Sequence, residues 1–137
     1  MLQLVIHGGA GSLEGKTAKA QNIHQSLCRI WEETFELLNK KTAEEALIHG
    51  IRLLEDDPVF NAGTGSKLQA DGEVRMSAAL MDGVKNRFSG VINVQNIRFP
   101  IEAAALLSKE KNKVLSADQA TEFCRNCLLY TSPSPRD

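Results

Sequence analysis

The sequence lacks any long hydrophobic run. Its apolar stretch near the start, Leu2 to Ile6, is far shorter than the ~20 residues that cross a bilayer, and no basic segment precedes it as in a secretory signal. A cytoplasmic setting is the default expectation. Cysteine is also scarce: Cys28, Cys124 and Cys127 form an odd set, which argues against a disulfide framework and agrees with a reducing compartment. Cys124-Arg125-Asn126-Cys127 has the spacing of a redox or zinc site, but no second ligand pair or thioredoxin-like context accompanies it. An excess of one charge is missing too. Sixteen basic and 17 acidic residues give a formal net charge of -1, so neither nucleic acid nor an anionic membrane meets a broad basic surface.

What is present is an ordinary globular composition, 42% hydrophobic and 24% charged over 137 residues, enough for a core and for one domain at most. Leu2 to His7 reads as a short buried strand ended by glycines. From Thr17 to about Asn39, apolar residues recur at helical spacing through Ile23, Leu27, Ile30, Trp31, Phe35 and Leu38. Thr42 and Glu45 have capping-box spacing before a second stripe of Ala43, Ala46, Leu47, Ile51 and Leu54, which Pro58 stops. FNAGTGSK then suits neither a helix nor a regular strand. Asp71-Gly72 signals a hairpin, followed by alternation through Val74, Met76, Ala78 and Leu80. RFSGVINV supplies another strand, Pro100 opens a helix through Ile101, Ala104, Ala105 and Leu106, and Ser116 with Gln119 caps one more. The order implies an α+β fold with antiparallel strands covered by helices.

Three glycine-centred readings compete at the start. Ala10 to Thr17 (AGSLEGKT) fits a P-loop with alanine in the first glycine position, but Glu14 puts negative charge inside the cradle. The one Walker-B candidate, Ala78 to Asp82, follows a hairpin signal where a parallel crossover is required. His7-Gly8-Gly9 suggests an esterase oxyanion loop, yet no G-x-S-x-G elbow occurs. The plain reading of His7 is a residue at a strand end whose ring bonds backbone.

IHGGAG near the start, LLEDDPVFNAGTGSKLQADGEVRMSAALMDG some fifty residues later, and then SGVINVQNIRFPI together resemble the plant-type L-asparaginase/isoaspartyl peptidase family. These are N-terminal nucleophile hydrolases of the threonine type. The resemblance covers Leu2 to about Arg125 and keeps the motifs in the family's order. It implies an αββα sandwich, a precursor that cuts itself before a threonine, and α and β subunits that assemble as a dimer of αβ pairs. The freed threonine attacks the side-chain carbonyl of asparagine or of a β-linked aspartyl residue, with its own α-amine as base.

The same resemblance gives roles to residues present here. Gly8 and Gly9 match a loop under the self-cleavage site, and Asn61 matches the asparagine of F-N-A-G, which orders the site. The backbone carbonyls of Leu54, Glu55, Asp57, Phe60, Ala62 and Thr64 match a loop around a structural sodium ion, an all-oxygen set suited to a hard cation. No organic cofactor is implied. The nucleophilic threonine begins a later segment that this sequence does not reach, and Gly63-Thr64 is not its cleavage site. Contacts that separate asparagine, β-aspartyl peptides and glycosylasparagine belong to that later part as well. Ser77 departs from the acidic residue usual before M-D-G.

The expectation is therefore the N-terminal part of such a precursor at 1–126, truncated in the α-subunit region, with an unstructured and foreign or frame-shifted tail at 127–137. Two of the four prolines fall in the last five residues. Without the β-subunit segment the chain is expected to be inactive and poorly folded, because exposed strand edges invite association. The alternative is a non-catalytic or P-loop-like nucleotide-binding module using Ala10–Thr17.

Overall fold

The computed structural model describes residues 1–12 and 16–127. Its first helix, α1, covers Thr17–Leu38, as the apolar spacing requires, with Ile30 and Leu38 buried. The second, α2, covers Ala43–Asp56 and starts at a complete capping box. Thr42 Oγ1 accepts the Glu45 N–H at 3.2 Å and Glu45 Oε2 accepts the Thr42 N–H at 3.0 Å, so two backbone donors at the helix start are satisfied. These bonds hold the Glu45 carboxyl below its ordinary value. A carboxyl with a depressed folded value stabilises above its ordinary range and loses that effect on acidification, so the cap weakens in acid. Thr42→Ala is expected to cost about 1 kcal/mol, read as a lowered denaturant midpoint. Gly50 lets α2 approach α1 closely, since a Cβ there would lie 2.8 Å from Thr34 Oγ1.

A three-stranded sheet follows, in the order β1 (Met76–Asp82), β2 (Arg87–Val94) and β3 (Val114–Ser116). The first two strands are antiparallel and meet at a four-residue turn in which Asp82 Oδ1 accepts the Val84 and Lys85 N–H groups, both at 3.0 Å. Asn86 closes that turn at φ +48°, a left-handed position that asparagine tolerates. Helix α3 (Pro100–Leu107) then leads to β3, which pairs parallel with β2, and α4 (Ala117–Cys127) ends the described chain. Purely antiparallel pairing is therefore corrected: one βαβ crossover is present. It requires a connection about as long as Gln95–Lys113, and a helix fills it.

Three other expectations are corrected. Leu2 to His7 has no ladder partner among the described residues and forms no strand. Asp71-Gly72 does form a turn, with the Gly72 N–H donating to Gln69 O at 3.0 Å, but the strand-joining hairpin lies at 83–86. Cys127 belongs to α4 and not to a tail; residues 128–137 lie outside the described residues, as do Leu13, Glu14 and Gly15 of the P-loop reading.

Helices cover one face of the sheet. Met76, Val91 and Val94 meet Ala103, Leu107, Ala120 and Cys124, while Leu80 meets Ile101 and Ala104 beside Ile48 and Ile51 of α2. Burial raises the Cys124 thiol to about 11, which leaves it an inert core group. The opposite face is apolar and open: cross-strand partners Met81 and Phe88 are 62% and 52% exposed, flanked by Ile92 and Val114.

Candidate functional site

The N-terminal segment lies along the α1–α2 pair. The Trp31 indole N–H donates to Leu4 O at 3.1 Å, and Ile6 joins a cluster of Ile30, Leu54 and Phe60. Gly8 follows at close quarters: a Cβ there would sit 2.8 Å from Phe60 Cε1 and 3.2 Å from Leu27 Cδ2. Two motifs fifty residues apart are thus brought together, because the glycine gives the Phe60 ring its space. Gly9 takes φ +110°, and its N–H donates to His7 Nδ1 at 3.2 Å. His7 is bonded to backbone, as its plain reading expects.

The loop after α2 folds on itself. Asp57 ends the helix with its N–H on Leu53 O, its Oδ1 accepts the Val59 N–H, and its carbonyl accepts the Phe60 N–H. A single 3₁₀ turn at Gly63–Gly65 follows, bonded from Gly65 N to Ala62 O and from Ser66 N to Gly63 O. Asn61 is exposed, and its Oδ1 accepts the Lys67 N–H at 2.9 Å, closing the loop from its far side. Asn61→Ala is expected to cost about 1 kcal/mol and to speed amide exchange at Lys67.

Carbonyls converge inside this loop. A Cβ on Gly63 would overlap Glu55 O, and one on Gly65 would overlap Phe60 O and press on Pro58 O. Of the carbonyls expected around sodium, those of Glu55 and Phe60 therefore face glycine backbones, while those of Asp57 and Ala62 already accept one backbone bond each and keep a second lone pair. The donors are all hard oxygens, the kind a hard cation takes, while the volume beside the two glycines is itself filled by the Glu55 and Phe60 carbonyls. Among the described residues no group of three His, Cys, Asp or Glu side chains forms a metal cluster.

Side chains around the loop carry charges that sequence reasoning missed. Asp57 pairs with Arg29 at 3.0 Å, Asp56 with Arg98 at 2.9 Å, and Glu102 with Arg52 at 3.0 Å. Arg52 and Arg98 both stack on Phe99, at 4.5 and 4.9 Å from the ring centre. Glu55 differs from its neighbours, being only 4% exposed. Its Oε1 accepts the Ile101 N–H in the first turn of α3 at 3.1 Å, and its Oε2 has no hydrogen-bond partner. Burial, reinforced by the Glu102 charge, raises its carboxyl to about 8. The sequence signal was the run Glu55-Asp56-Asp57 at a helix C-terminus, where the dipole disfavours acids. Separately, a cleft of about 770 Å³ between α2, the β1–β2 turn and α3 is lined by Thr42, Lys85, Arg87 and Lys109, and none of the sequence-predicted site residues borders it.

The family described as "Asparaginase" matches residues 1–134. The chain belongs to the asparaginase family. It is 49% identical over 129 residues to an isoaspartyl peptidase/L-asparaginase of Nostoc sp., covering 93% of this chain and 40% of that protein. A plant-type L-asparaginase of Pyrococcus abyssi is 34% identical over 129 residues, covering 91% and 41%. The isoaspartyl peptidase/L-asparaginase of Homo sapiens is 36% identical over 122 residues, covering 88% and 39%. The chain thus spans about two fifths of the length of the curated relatives it matches. These matches give no support to a nucleotide-binding module at Ala10–Thr17. Among the described residues, no helix of this asparaginase-family chain is long and apolar enough to cross a membrane.

Proposed function

We propose that this chain is the N-terminal part of a self-cleaving amidohydrolase that acts on L-asparagine, β-aspartyl dipeptides or both. The threonine nucleophile comes from polypeptide outside this sequence, and the residues here support the site without performing the bond cleavage. The observation that carries this reading is the contact of Gly8 with Phe60, next to Asn61, in a chain whose relatives are named isoaspartyl peptidase/L-asparaginase. Gly9, the residue after Gly8, has open space where a Cβ would stand and leaves backbone accessible for a cleavage segment to lie against.

The αββα sandwich is part of the same proposal. A sheet covered by helices on one face and open at Met81, Phe88, Ile92 and Val114 on the other is half of such a stack, and a second sheet supplied by the downstream polypeptide covers it. A sodium ion in the turn at 54–64 would be held by the carbonyls of Leu54, Glu55, Asp57, Phe60, Ala62 and Thr64, where it fixes the loop that presents Asn61. Assembly as a dimer of αβ pairs and a cytoplasmic setting complete the reading; the free thiols of Cys28, Cys124 and Cys127 agree with the latter. Incubated with L-asparagine or a β-aspartyl dipeptide, the purified 137-residue chain is expected to release no aspartate above a blank. Release of aspartate by this chain would overturn the assignment of the nucleophile to other polypeptide.

A further inference from the structure

A thiol and an imidazole meet on α1, away from the loop. His24 and Cys28 stand four residues apart, which stacks their side chains on one face of the helix, and Cys28 Sγ is 3.6 Å from His24 Nε2. Beside them a hollow of about 260 Å³ opens between α1 and the N-terminal segment. Its walls are Ile6, Leu27 and Trp31, and Glu32 supplies its one carboxylate. The other two cysteines lack this arrangement. Cys124 is buried in the core, and Cys127 is exposed but bonds no histidine among the described residues. A thiol becomes a strong nucleophile when a base takes its proton, and Cys28 is open to solvent with such a base in contact.

We propose that Cys28 is a covalent modification site for small, neutral α,β-unsaturated carbonyl compounds, with His24 as the base and the hollow as the seat for their apolar body. In the Nδ1–H tautomer of His24, Nε2 accepts the thiol proton. Cys28 Sγ then bonds the β-carbon of the electrophile, the electron pair of its C=C bond shifts toward the carbonyl, and the α-carbon takes up the proton held by His24. No group leaves, and no oxidant or reductant takes part. The apolar walls favour an apolar substituent, whereas the Glu32 carboxylate disfavours an anionic one.

Maleimides are neutral cyclic members of this class, and the exposed Cys127 provides an internal reference for them. The experiment labels the 137-residue chain, and a whole-length chimera carrying residues 1–127 in the Nostoc relative, with limiting N-phenylmaleimide, then reads each cysteine by peptide mass spectrometry. A free thiol is only a few per cent ionised near neutral pH, so Cys28 is expected to label about tenfold faster than Cys127. His24→Gln, at an exposed position, is expected to bring the two rates together. With the anionic 3-maleimidopropionate the preference for Cys28 is expected to shrink severalfold. Cys124 reports folding in the same digest: should it label in the 137-residue chain, the ratio is read from the chimera. Cys28 labelling no faster than Cys127, or an unchanged ratio in His24→Gln, overturns the proposal. Equal preference with the phenyl and carboxylate reagents overturns the assignment of an apolar ligand to the hollow.

Discussion

Gly65→Ala and Gly63→Ala are each expected to abolish cooperative folding. The added methyl group would occupy the space of Phe60 O in the first case and of Glu55 O in the second, and these obstacles are backbone atoms. Neither carbonyl has room to move, because Phe60 is bonded to Asp57 O and the Glu55 side chain is bonded to α3. Gly63 adds a left-handed φ of +49° to the clash. Overlap with fixed backbone, added to conformational strain, is expected to exceed about 3 kcal/mol, a large share of the ~5–15 kcal/mol that holds a typical domain together. Two other glycines calibrate the result. Gly72 has φ +84° but open space around it, so Gly72→Ala is expected to cost about 1 kcal/mol, whereas Gly83→Ala meets no atom and is near neutral. Denaturant midpoints check this ranking for the four variants in a chimera in which residues 1–127 replace the matching segment of the Nostoc relative. Equal midpoints for Gly65→Ala and Gly83→Ala would show that the carbonyls do not converge on the turn.

Phe88→Asp is expected to act in opposite directions in two settings. In the 137-residue chain Phe88 is half-exposed beside its cross-strand partner Met81, so an aspartate there breaks up an apolar patch and raises soluble, monomeric yield. If the proposed sandwich is right, the same face of the chimera lies between two sheets, and an unpaired carboxylate would be buried there at a cost of several kcal/mol. Loss of folded chimera, and with it of self-cleavage on a denaturing gel, is the expected outcome. Should the chimera tolerate Phe88→Asp, the outer face would be solvated and the sandwich wrong.

What was legible in the sequence was mainly local. The stripe from Ile23 to Leu38, the Thr42–Glu45 box and Pro100 fixed the helices closely, because each signal acts within one or two turns of chain. Leu2 to His7 shows why strands are harder to read. Leu4, Ile6 and Gly8 alternate inward with the period of a strand, yet a ladder needs a partner that local pattern does not supply. Strand β3 is only three residues long, and its parallel pairing with Gly90 and Ile92 depends on the crossover through α3. At the site, family resemblance points to the carbonyls at 54–64, while nothing in it announces the burial of the Glu55 side chain. An acidic residue at a helix end ordinarily reads as solvated, and only the packing of α3 against α2 encloses this one.

The most direct measurement compares the 137-residue chain with the chimera in an assay for aspartate release from L-asparagine and a β-aspartyl dipeptide, with self-cleavage followed on a denaturing gel. The expected result is no release by the chain alone, and both self-cleavage and hydrolysis by the chimera. A chimera that folds but neither cleaves itself nor releases aspartate would contradict the claim that this segment supports an asparaginase site, and hydrolysis by the chain alone would contradict the claim that its nucleophile lies elsewhere.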